Sequence, residues 1–363
     1  MSTGKTEEVK VATIRKCQVM NDSKMKVVTL GTSGGPRWWK GDSKDRAGIS
    51  TAIVVEDRFY LVDAGHGVGR RIRQAGLELG DLGGIFITHL HSDHTIDLPS
   101  LVVFGMHELQ QRVDTPVPLL GPGPRGALPP VSPRAVVSPR PVAPANPTPG
   151  IADMFTNIVG AFATDLNDRV LDSLRPSPEV LFDPRDIEIP EGIGYHPNTA
   201  PTPEMEPFVI FQDDLVTVTA ILVEHPPVAP AFAFRFDSEH GSVTISGDTC
   251  ETDNLVRLAQ GTDLLLHEAI DFDWVDQMYA HRDDDEGSAS RDHHYKSHTS
   301  VNGAIRIASA AQARALALHH LVPGSADDTV WHKGHTGFDG TFLVPEDLDT
   351  INITTAAQAA MRS

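Results

Sequence analysis

Residues 88–94 read Thr-His-Leu-His-Ser-Asp-His, so that three imidazoles and a carboxylate fall within six residues. The three residues before this stretch, Ile-Phe-Ile, form an apolar run that predicts a buried strand. Because side chains alternate along an extended chain, His89 and His91 project the same way, whereas Asp93 and His94 in the turn beyond can face a second ion. Metal ligands suit such a strand end, where a rigid sheet holds them and a loop exposes them. The stretch therefore predicts a metal site.

The composition predicts a large, acidic, globular protein. The chain has 363 residues, of which 40% are hydrophobic, and this fits one large α/β domain with an insertion. Its 30 Lys and Arg residues against 49 Asp and Glu residues give a formal net charge of −19. Such a surface repels nucleic-acid phosphates and anionic membranes unless a local basic patch overrides it.

Cysteine usage and hydropathy bear on the compartment. Cys17 and Cys250 are the only cysteines, so that no disulfide framework is implied. The polar N-terminus lacks the apolar stretch of a secretory signal. No run approaches the ~18 uncharged apolar residues that a membrane span needs. The sequence therefore predicts a cytoplasmic protein without a membrane segment.

Strand and helix patterns recur in both halves of the chain. Residues 25–30 predict a core strand that runs into the glycine-rich turn 31–36, which no Gly-Lys-Ser/Thr follows, and this argues against a phosphate-binding P-loop. Residues 51–55 and 59–62 predict a hairpin, and a helical pattern precedes the metal-motif strand. The second half predicts strands at 208–211, 216–220, 231–236, 243–245, 264–266 and 315–318 and helices at 252–260 and 300–312.

Between the two halves lies a segment of unusual composition. Twelve of the 34 residues in 116–149 are proline. Proline removes a donor and fixes φ, so that we expect neither a helix nor a central strand there but an extended excursion. Residues 151–175 regain helical spacing. We interpret 108–205 as one insertion that serves as a cap or lid over the site.

Four short motifs together resemble one known family. The H-x-H-x-D-H pattern at 89–94 is similar to the signature of the metallo-β-lactamase fold. The turn 31–36 resembles the G-T-x-G-x-P turn that lies near the metals in that family. Residues 63–67 resemble its D-x-G-x-G loop, and residues 246–249 resemble its S-G-D-T motif.

The resemblance extends over residues 25–107 and 208–350 and carries an expected architecture. It implies a four-layer αβ/βα sandwich, in which two sheets face each other, helices lie outside and metals bind at one edge. We therefore expect residues 25–350 to form the domain, with 1–24 as a polar N-terminal tail and 351–363 as a C-terminal tail.

The same resemblance implies two divalent metal ions and their ligands. His225 follows a predicted strand and corresponds to the third histidine of the family's first site. His319 and His320 both follow the strand at 315–318, and the family pattern favours His320 as the ligand. The implied ligands are His89, His91 and His225 for the first ion and Asp93, His94 and His320 for the second, with Asp248 bridging both. Mixed nitrogen and oxygen ligands suit zinc, and iron or manganese is also compatible.

Two further motifs resemble the ribonuclease Z branch of the family. Residues 297–299 are similar to its S-H-T motif, whose histidine contacts the scissile group, and residues 267–269 to its H-E-A motif. The resemblance implies that His298 stabilises developing charge or protonates a leaving oxygen. Glu268 would orient His298, and these two residues with the ligand Asp93 are the candidate catalytic residues.

Other residues receive supporting roles. In the resembling family the aspartate at the place of Asp63 orients the metal loop from outside the ligand set. His66 is a further residue that could lie near the metals. Cys250 is expected to be a small buried apolar residue. The charged run 281–294, which contains three histidines, predicts a solvated loop.

These features predict a dinuclear metal-dependent hydrolase that uses a metal-bridging hydroxide on a small organic substrate. That substrate would be an ester, a lactone, a β-lactam, or a phospho- or sulfo-ester. The resemblance offers a ribonuclease Z-like phosphodiesterase of tRNA 3′ ends as an alternative. A different class of alternative is a di-iron redox protein or a non-catalytic protein stabilised by metal.

The composition of the insertion favours one of these substrates. Ribonuclease Z enzymes carry an arm rich in glycine and basic residues that grips tRNA, whereas 116–149 offers only Arg125, Arg134 and Arg140. Each phosphate contact normally needs its own cation. We therefore expect a small-molecule substrate, with neither nucleic acid nor membrane as a partner. A homodimer is a hypothesis by analogy with the resembling enzymes.

Overall fold

The computed structural model describes residues 23–39, 46–282, 284–332 and 337–353. In these residues the strands form two seven-stranded sheets. The strands are β1 Met25–Gly31, β2 Ser50–Val55, β3 Arg58–Val62, β4 Leu82–Phe86, β5 Val117–Pro122, β6 Phe182–Ile187, β7 Phe208–Gln212, β8 Thr217–Leu222, β9 Phe232–Ser238, β10 Gly241–Ile245, β11 Leu264–Ile270, β12 Ala315–Val322, β13 Thr341–Leu343 and β14 Thr350–Asn352.

The helices of the described residues connect these strands. Most are short, and several begin at a side chain that caps the first turn, such as Ser300, whose hydroxyl accepts from the backbone N–H of Gly303 at 3.1 Å. The helices are α1 Val68–Gln74, α2 Ser92–Thr95, α3 Leu98–Glu108, α4 Ile151–Ala161, α5 Ala163–Leu171, α6 Pro178–Leu181, α7 Asp253–Leu258, α8 Phe272–Tyr279, α9 Asp285–Ser297, α10 Val301–Ala310 and α11 Asp328–Trp331.

The two sheets have mirrored strand orders. The first runs β14-β1-β2-β3-β4-β5-β6 and the second β13-β12-β11-β10-β9-β8-β7. Each sheet pairs its central strands in parallel, β3 to β4 in the first and β10 to β11 to β12 in the second. The carboxyl ends of β4 and β10 therefore present the loops that carry residues 89–94 and Asp248, and His320 lies near the carboxyl end of β12.

Alternating side chains bury both faces of the first sheet. In β1, Met25 and Val27 pack in the core between the sheets, whereas Val28 and Leu30 pack beneath α1 and α3. The central core is aromatic, and the rings of Phe86 and Phe236 meet edge to face at 5.2 Å. This layered burial agrees with the sandwich that the sequence predicts.

The proline-rich segment departs from its prediction. Residues 117–122 form β5, which lies inside the first sheet between β4 and β6, so that the expectation of no central strand is wrong. β4 pairs only with Leu119 and Leu120, which lie between Pro118 and Pro122. The prolines therefore occupy positions where β4 does not require a donor. Part of the proposed insertion thus belongs to the sheet.

Other boundaries are also refined. The helical pattern of 151–175 is two helices, α4 and α5, and residues 351–352, expected to begin a C-terminal tail, pair with β1 as β14. Cys17 and most of the predicted N-terminal tail lie outside the described residues. Among the helices of the described chain, none has both the length and the apolar character needed to cross a membrane.

Candidate metal centre

Four ligand groups converge where β4, β8 and β10 end. His89, His91, His225 and Asp248 place their ligand atoms within 4.8 Å of one another. Nε2 of His225 lies 3.2 Å from Nδ1 of His91 and 3.8 Å from Oδ2 of Asp248. Nε2 of His89 lies 3.9 Å from the same Asp248 oxygen. Three imidazoles and a carboxylate thus surround one point, as a divalent transition metal requires.

A second group shares Asp248 with the first. Asp93, His94, Asp248 and His320 also lie within 4.8 Å of one another at their ligand atoms. Nε2 of His320 lies 3.2 Å from Oδ2 of Asp93 and 3.3 Å from Oδ2 of Asp248. Nε2 of His94 lies 3.4 Å from the other Asp248 oxygen. Asp248 therefore stands between two sets of donors, the position of a bridging carboxylate.

Two glycines make room for this arrangement. Gly247 has φ +59, and a Cβ there would lie 2.7 Å from the carbonyl oxygen of Phe232. The turn that delivers Asp248 therefore requires glycine. A Cβ at Gly34, in the glycine-rich turn after β1, would lie 2.4 Å from the ring of His320. That turn thus leaves the space in which the His320 ring sits.

An irregularity in β12 separates His320 from His319. The register of β11 against β12 pairs Glu268 with His319 and Ala269 with Leu321, so that His320 is skipped. His320 has φ +47, a left-handed conformation that is uncommon for a residue other than glycine. This bulge turns the His320 ring into the ligand cluster. His319 is buried but belongs to neither cluster in the described residues.

Neighbouring groups fix the ligand rings. Nδ1 of His94 donates to Oδ2 of Asp63 at 2.8 Å, and Nδ1 of His225 donates to the backbone carbonyl of Ser297 at 2.8 Å. Each contact leaves Nε2 of its ring free to bind a metal. The backbone N–H of Gly35 donates to Oδ2 of Asp93 at 2.9 Å. Asp63 thus lies where the sequence predicts, outside the ligand set and against a ligand.

The donor set fits divalent metal ions. Nε2 of His89, Nε2 of His94 and Oδ1 of Asp248 are buried without a hydrogen-bond partner, a costly arrangement unless an ion satisfies them. Burial lowers the pKa values of His89 and His225, which keeps both imidazoles in the neutral form that binds metal. Burial opposes ionisation of Asp248, but His320 and His94 outweigh it and hold its pKa well below the usual range.

His298 and Glu268 form a pair beside the clusters. Nδ1 of His298 donates to Oε1 of Glu268 at 2.9 Å, and Glu268 also accepts from the backbone N–H of Thr249 at 2.9 Å. Burial alone would lower the pKa of His298, but Glu268 outweighs it and raises that pKa to about 9. Nδ1 of the same imidazole lies 4.0 Å from Oδ2 of Asp248.

The prediction of a solvated loop at 281–294 is wrong, and it missed two residues at the site. Residues 285–294 belong to α9, and His293 on that helix faces the ligands. Its ring centroid lies 6.4 Å from that of His91, 6.1 Å from that of His225 and 6.0 Å from that of His298. His294 lies 6.1 Å from His298 by the same measure. Burial lowers the pKa of His293 to about 3, so that the ring is neutral.

A helical spacing could have revealed His293. His293 precedes Ser297 by four residues, a helical spacing that places its ring over the first residue of the S-H-T motif, and Nδ1 of His293 lies 3.2 Å from the Ser297 hydroxyl. The remaining supporting residues are less close. His281 and His66 are exposed, although His66 lines the cavity beside Asp93. Cys250 is half-buried, and burial followed by Glu224 raises the pKa of its thiol to about 12.

Comparison with known proteins agrees with this architecture. Residues 40–118 match the family model described as anti-Pycsar protein Apyc1. Ribonuclease Z from Mycobacterium bovis (strain BCG / Pasteur 1173P2) is 28% identical over 332 residues, which cover 91% of this chain and 98% of the relative. Ribonuclease Z from Mycobacterium tuberculosis (strain ATCC 25618 / H37Rv) has the same identity and coverage.

Solved structures share the fold. The short form of human tRNase Z (ELAC1) superposes with a TM-score of 0.58 at 20% identity, over 91% of this chain and 100% of that one. The metallo-β-lactamase fold protein YhfI from Bacillus subtilis superposes with a TM-score of 0.55 at 18% identity, over 90% and 98%. The predicted αβ/βα sandwich is confirmed.

The chain has the metallo-β-lactamase fold, and its similarity to ribonuclease Z together with its two ligand clusters indicates a metal-dependent hydrolase. Relatives that it resembles over most of its length are ribonuclease Z enzymes. These comparisons favour the ribonuclease Z-like alternative over the small organic substrate that the sequence led us to expect. They also conflict with the expectation that nucleic acid is not a partner.

Proposed function

We propose that the protein is a phosphodiesterase of the ribonuclease Z type that cleaves RNA, with a 3′-extended precursor tRNA as its substrate. One observation carries the proposal: the similarity to ribonuclease Z extends over 91% of this chain and 98% of the relative. A match of that extent spans both sheets and both ligand clusters. The proposal of an RNA substrate is therefore based on the whole domain and not on a single motif.

Two divalent ions would occupy the two clusters, with zinc as the proposed metal. The first would bind His89, His91 and His225 and the second Asp93, His94 and His320, and Asp248 would bridge them. When bound, such ions act as Lewis acids and lower the pKa of water to about 7. The ligand rings are held for this by Asp63 and by the Ser297 carbonyl.

His298 would act on the leaving group. Its Nδ1 is held by Glu268, whose carboxylate raises the pKa of the ring, so that Nε2 would be the donor to the leaving oxygen. A positioned imidazolium can give its proton to the leaving oxygen as a phosphodiester bond breaks. Glu268 is completely buried and touches no solvent, so that its role is to position and charge His298.

A second candidate is a small phosphodiester such as a dinucleotide. It is favoured by the shortage of free cations in the proline-rich segment, which we propose caps the site. Arg134 pairs with Asp292 on α9 at 3.2 Å, and Arg125 donates to the carbonyl of Pro197 at 3.1 Å. A protein with a net charge of −19, whose Arg125 and Arg134 are already engaged, is poorly equipped for many backbone phosphates.

The test compares the two substrates on the metal-loaded protein. A 3′-extended precursor tRNA at low salt should be cut near its 3′ end, and Asp248→Asn should abolish both cutting and metal binding. A matched assay uses a cyclic or linear dinucleotide phosphodiester. Hydrolysis of the small substrate without any cutting of the tRNA would replace the proposal by the second candidate. Failure with both would overturn a phosphodiesterase altogether.

A further inference from the structure

A cavity opens beside the second ligand cluster. It has a volume of about 290 Å³, and the glycine-rich turn after β1 and the start of α2 form its walls. We call it the tryptophan cavity, and its lining includes Pro36, Arg37, Trp38, Trp39, Ser92 and Asp93. Because Asp93 is also one of the grouped ligand residues, a molecule in this cavity would adjoin the metal centre.

The two tryptophans of this cavity differ in exposure and in their contacts. Trp39 is fixed, since its Nε1 donates to the carbonyl of Gly34 at 2.9 Å and its ring meets Trp274 edge to face at 5.5 Å. Trp38 is 85% exposed, more than any other aromatic side chain of the described residues. A tryptophan offers a large apolar surface whose burial on binding is favourable. Trp38 is therefore available to stack on a ligand, whereas Trp39 builds the wall.

A cation accompanies the aromatic surface. The guanidinium of Arg37 lies 5.2 Å from the ring centre of Trp39 and 5.9 Å from that of Trp274, which holds it at the cavity rim. No carboxylate among the described residues pairs with Arg37. Arg46 also lines the cavity, but its guanidinium already pairs with Asp328 at 3.4 Å and donates to the Pro345 carbonyl at 3.2 Å. The exposed ring of Trp38 and the rim cation Arg37 suit a ligand that is both aromatic and anionic.

We propose that the tryptophan cavity is a nucleobase subsite. The base of the nucleotide next to the scissile phosphate stacks on Trp38, and Arg37 faces its phosphate. This rests on the proposed function, because it takes the bond at the metal centre to be a phosphodiester. Stacking suits this chain in particular: with a net charge of −19 it gains little from long-range attraction of phosphates, and a π-face binds any base.

The experiment measures binding separately from cleavage. Isothermal titration of the metal-loaded protein with the four nucleoside monophosphates and with inorganic phosphate should give tighter binding for the nucleotides. Trp38→Ala should weaken nucleotide binding roughly 5- to 100-fold, as loss of one stacked base does, and leave phosphate binding unchanged. Trp38→Phe should recover most of the affinity. Phe104→Ala is the matched control, since Phe104 is 66% exposed on α3 and lies outside the cavity.

The outcomes separate the subsite from the reaction. Selective loss of nucleotide affinity in Trp38→Ala supports the subsite even if precursor tRNA is not cut, in which case only the RNA substrate fails. Equal losses for nucleotide and phosphate, or equal losses in Phe104→Ala, would overturn the subsite even if tRNA is cut. Nucleotides that bind the unaltered protein no more tightly than phosphate would also overturn it.

Discussion

Nδ1 of His298 lies 2.9 Å from Oε1 of Glu268, and this single contact couples the first residue after α9 to the interior of the second sheet. Glu268 lies on β11 and is completely buried, whereas His298 faces Asp248. The carboxylate is therefore beyond the reach of substrate, and its charge acts through the imidazole. In the proposed function His298 contacts the substrate as the general acid, and Glu268 positions His298.

Replacement of His298 by alanine should lower kcat without loss of metal. A general acid contributes about 10²- to 10⁴-fold, and we expect a fall of that size in the cleavage of a phosphodiester. Metal content by mass spectrometry and the melting temperature should stay close to those of the unaltered protein. His281→Ala, which removes an exposed histidine of the α8–α9 connection, is the control. A parallel loss of metal and activity would make His298 structural.

The neighbouring histidines of β12 should behave differently. His320→Ala should remove about half of the bound metal, because only His320 of the two lies in a ligand group. His319→Ala should keep both ions, although it should lower stability by about 2 kcal/mol or more through the cavity it leaves. Metal analysis on the two purified variants decides the matter. Loss of metal in His319→Ala alone would place the bulge of β12 one residue earlier.

Most of the strands can be predicted from the sequence, and the elements that cannot be predicted have physical causes. The runs that become β1, β4 and β11 are apolar and flanked by turns, so that pattern alone finds them. β5 is hidden by its prolines, which lie where β4 needs no donor. α9 is hidden for another reason, since it is polar over most of its length and buries only Gly287 and Ser297.

The candidate site likewise contains residues that the sequence predicts and residues that it does not. The ligands at 89–94 lie close together in the sequence, so that a local motif is sufficient to identify them. His320 could be separated from His319 only through resemblance, because the bulge that selects it is a property of strand pairing. His293 was missed because its contacts with His91 and His225 join residues that are far apart in the sequence.

His293→Ala should impair substrate handling and leave the ions in place. The ring lies about 6 Å, centre to centre, from those of His225 and His298, so that it borders the space where a substrate must enter. We expect KM to rise about 3- to 30-fold with a smaller change in kcat, as for loss of one hydrogen bond of about 1–2 kcal/mol. Lys296→Ala on the same helix should change neither constant. A loss of metal in His293→Ala would contradict a substrate-facing role.

Removal of metal should destabilise the protein as well as inactivate it. The buried and unpartnered Nε2 atoms of His89 and His94 lose their partner when an ion leaves. At a free metal concentration ~1,000-fold above Kd, each ion stabilises the fold by about 4 kcal/mol. Dialysis against a chelator should therefore lower Tm, and added zinc should restore it. Asp248→Asn, with the bridging carboxylate gone, should show little change in Tm on chelation, and a full-sized shift there would contradict the ligand assignment.

Stability should also fall in mild acid through His267, a core residue that the proposed chemistry does not use. His267 on β11 is completely buried, and burial lowers its pKa to about 4, whereas an unfolded histidine titrates near 6.5. The folded protein therefore resists protonation at this ring. The stabilisation is complete above pH ~6.5 and is lost as the pH falls from there toward 4, by about 1.4 kcal/mol per pH unit.

We expect the free energy of unfolding of the unaltered protein to fall, between pH 7 and pH 5, by about 2 kcal/mol more than that of His267→Leu, which cannot titrate. Urea unfolding of both proteins at each pH measures the difference, and acid release of metal affects both alike and cancels. Parallel pH dependence in the two proteins would show that His267 does not contribute.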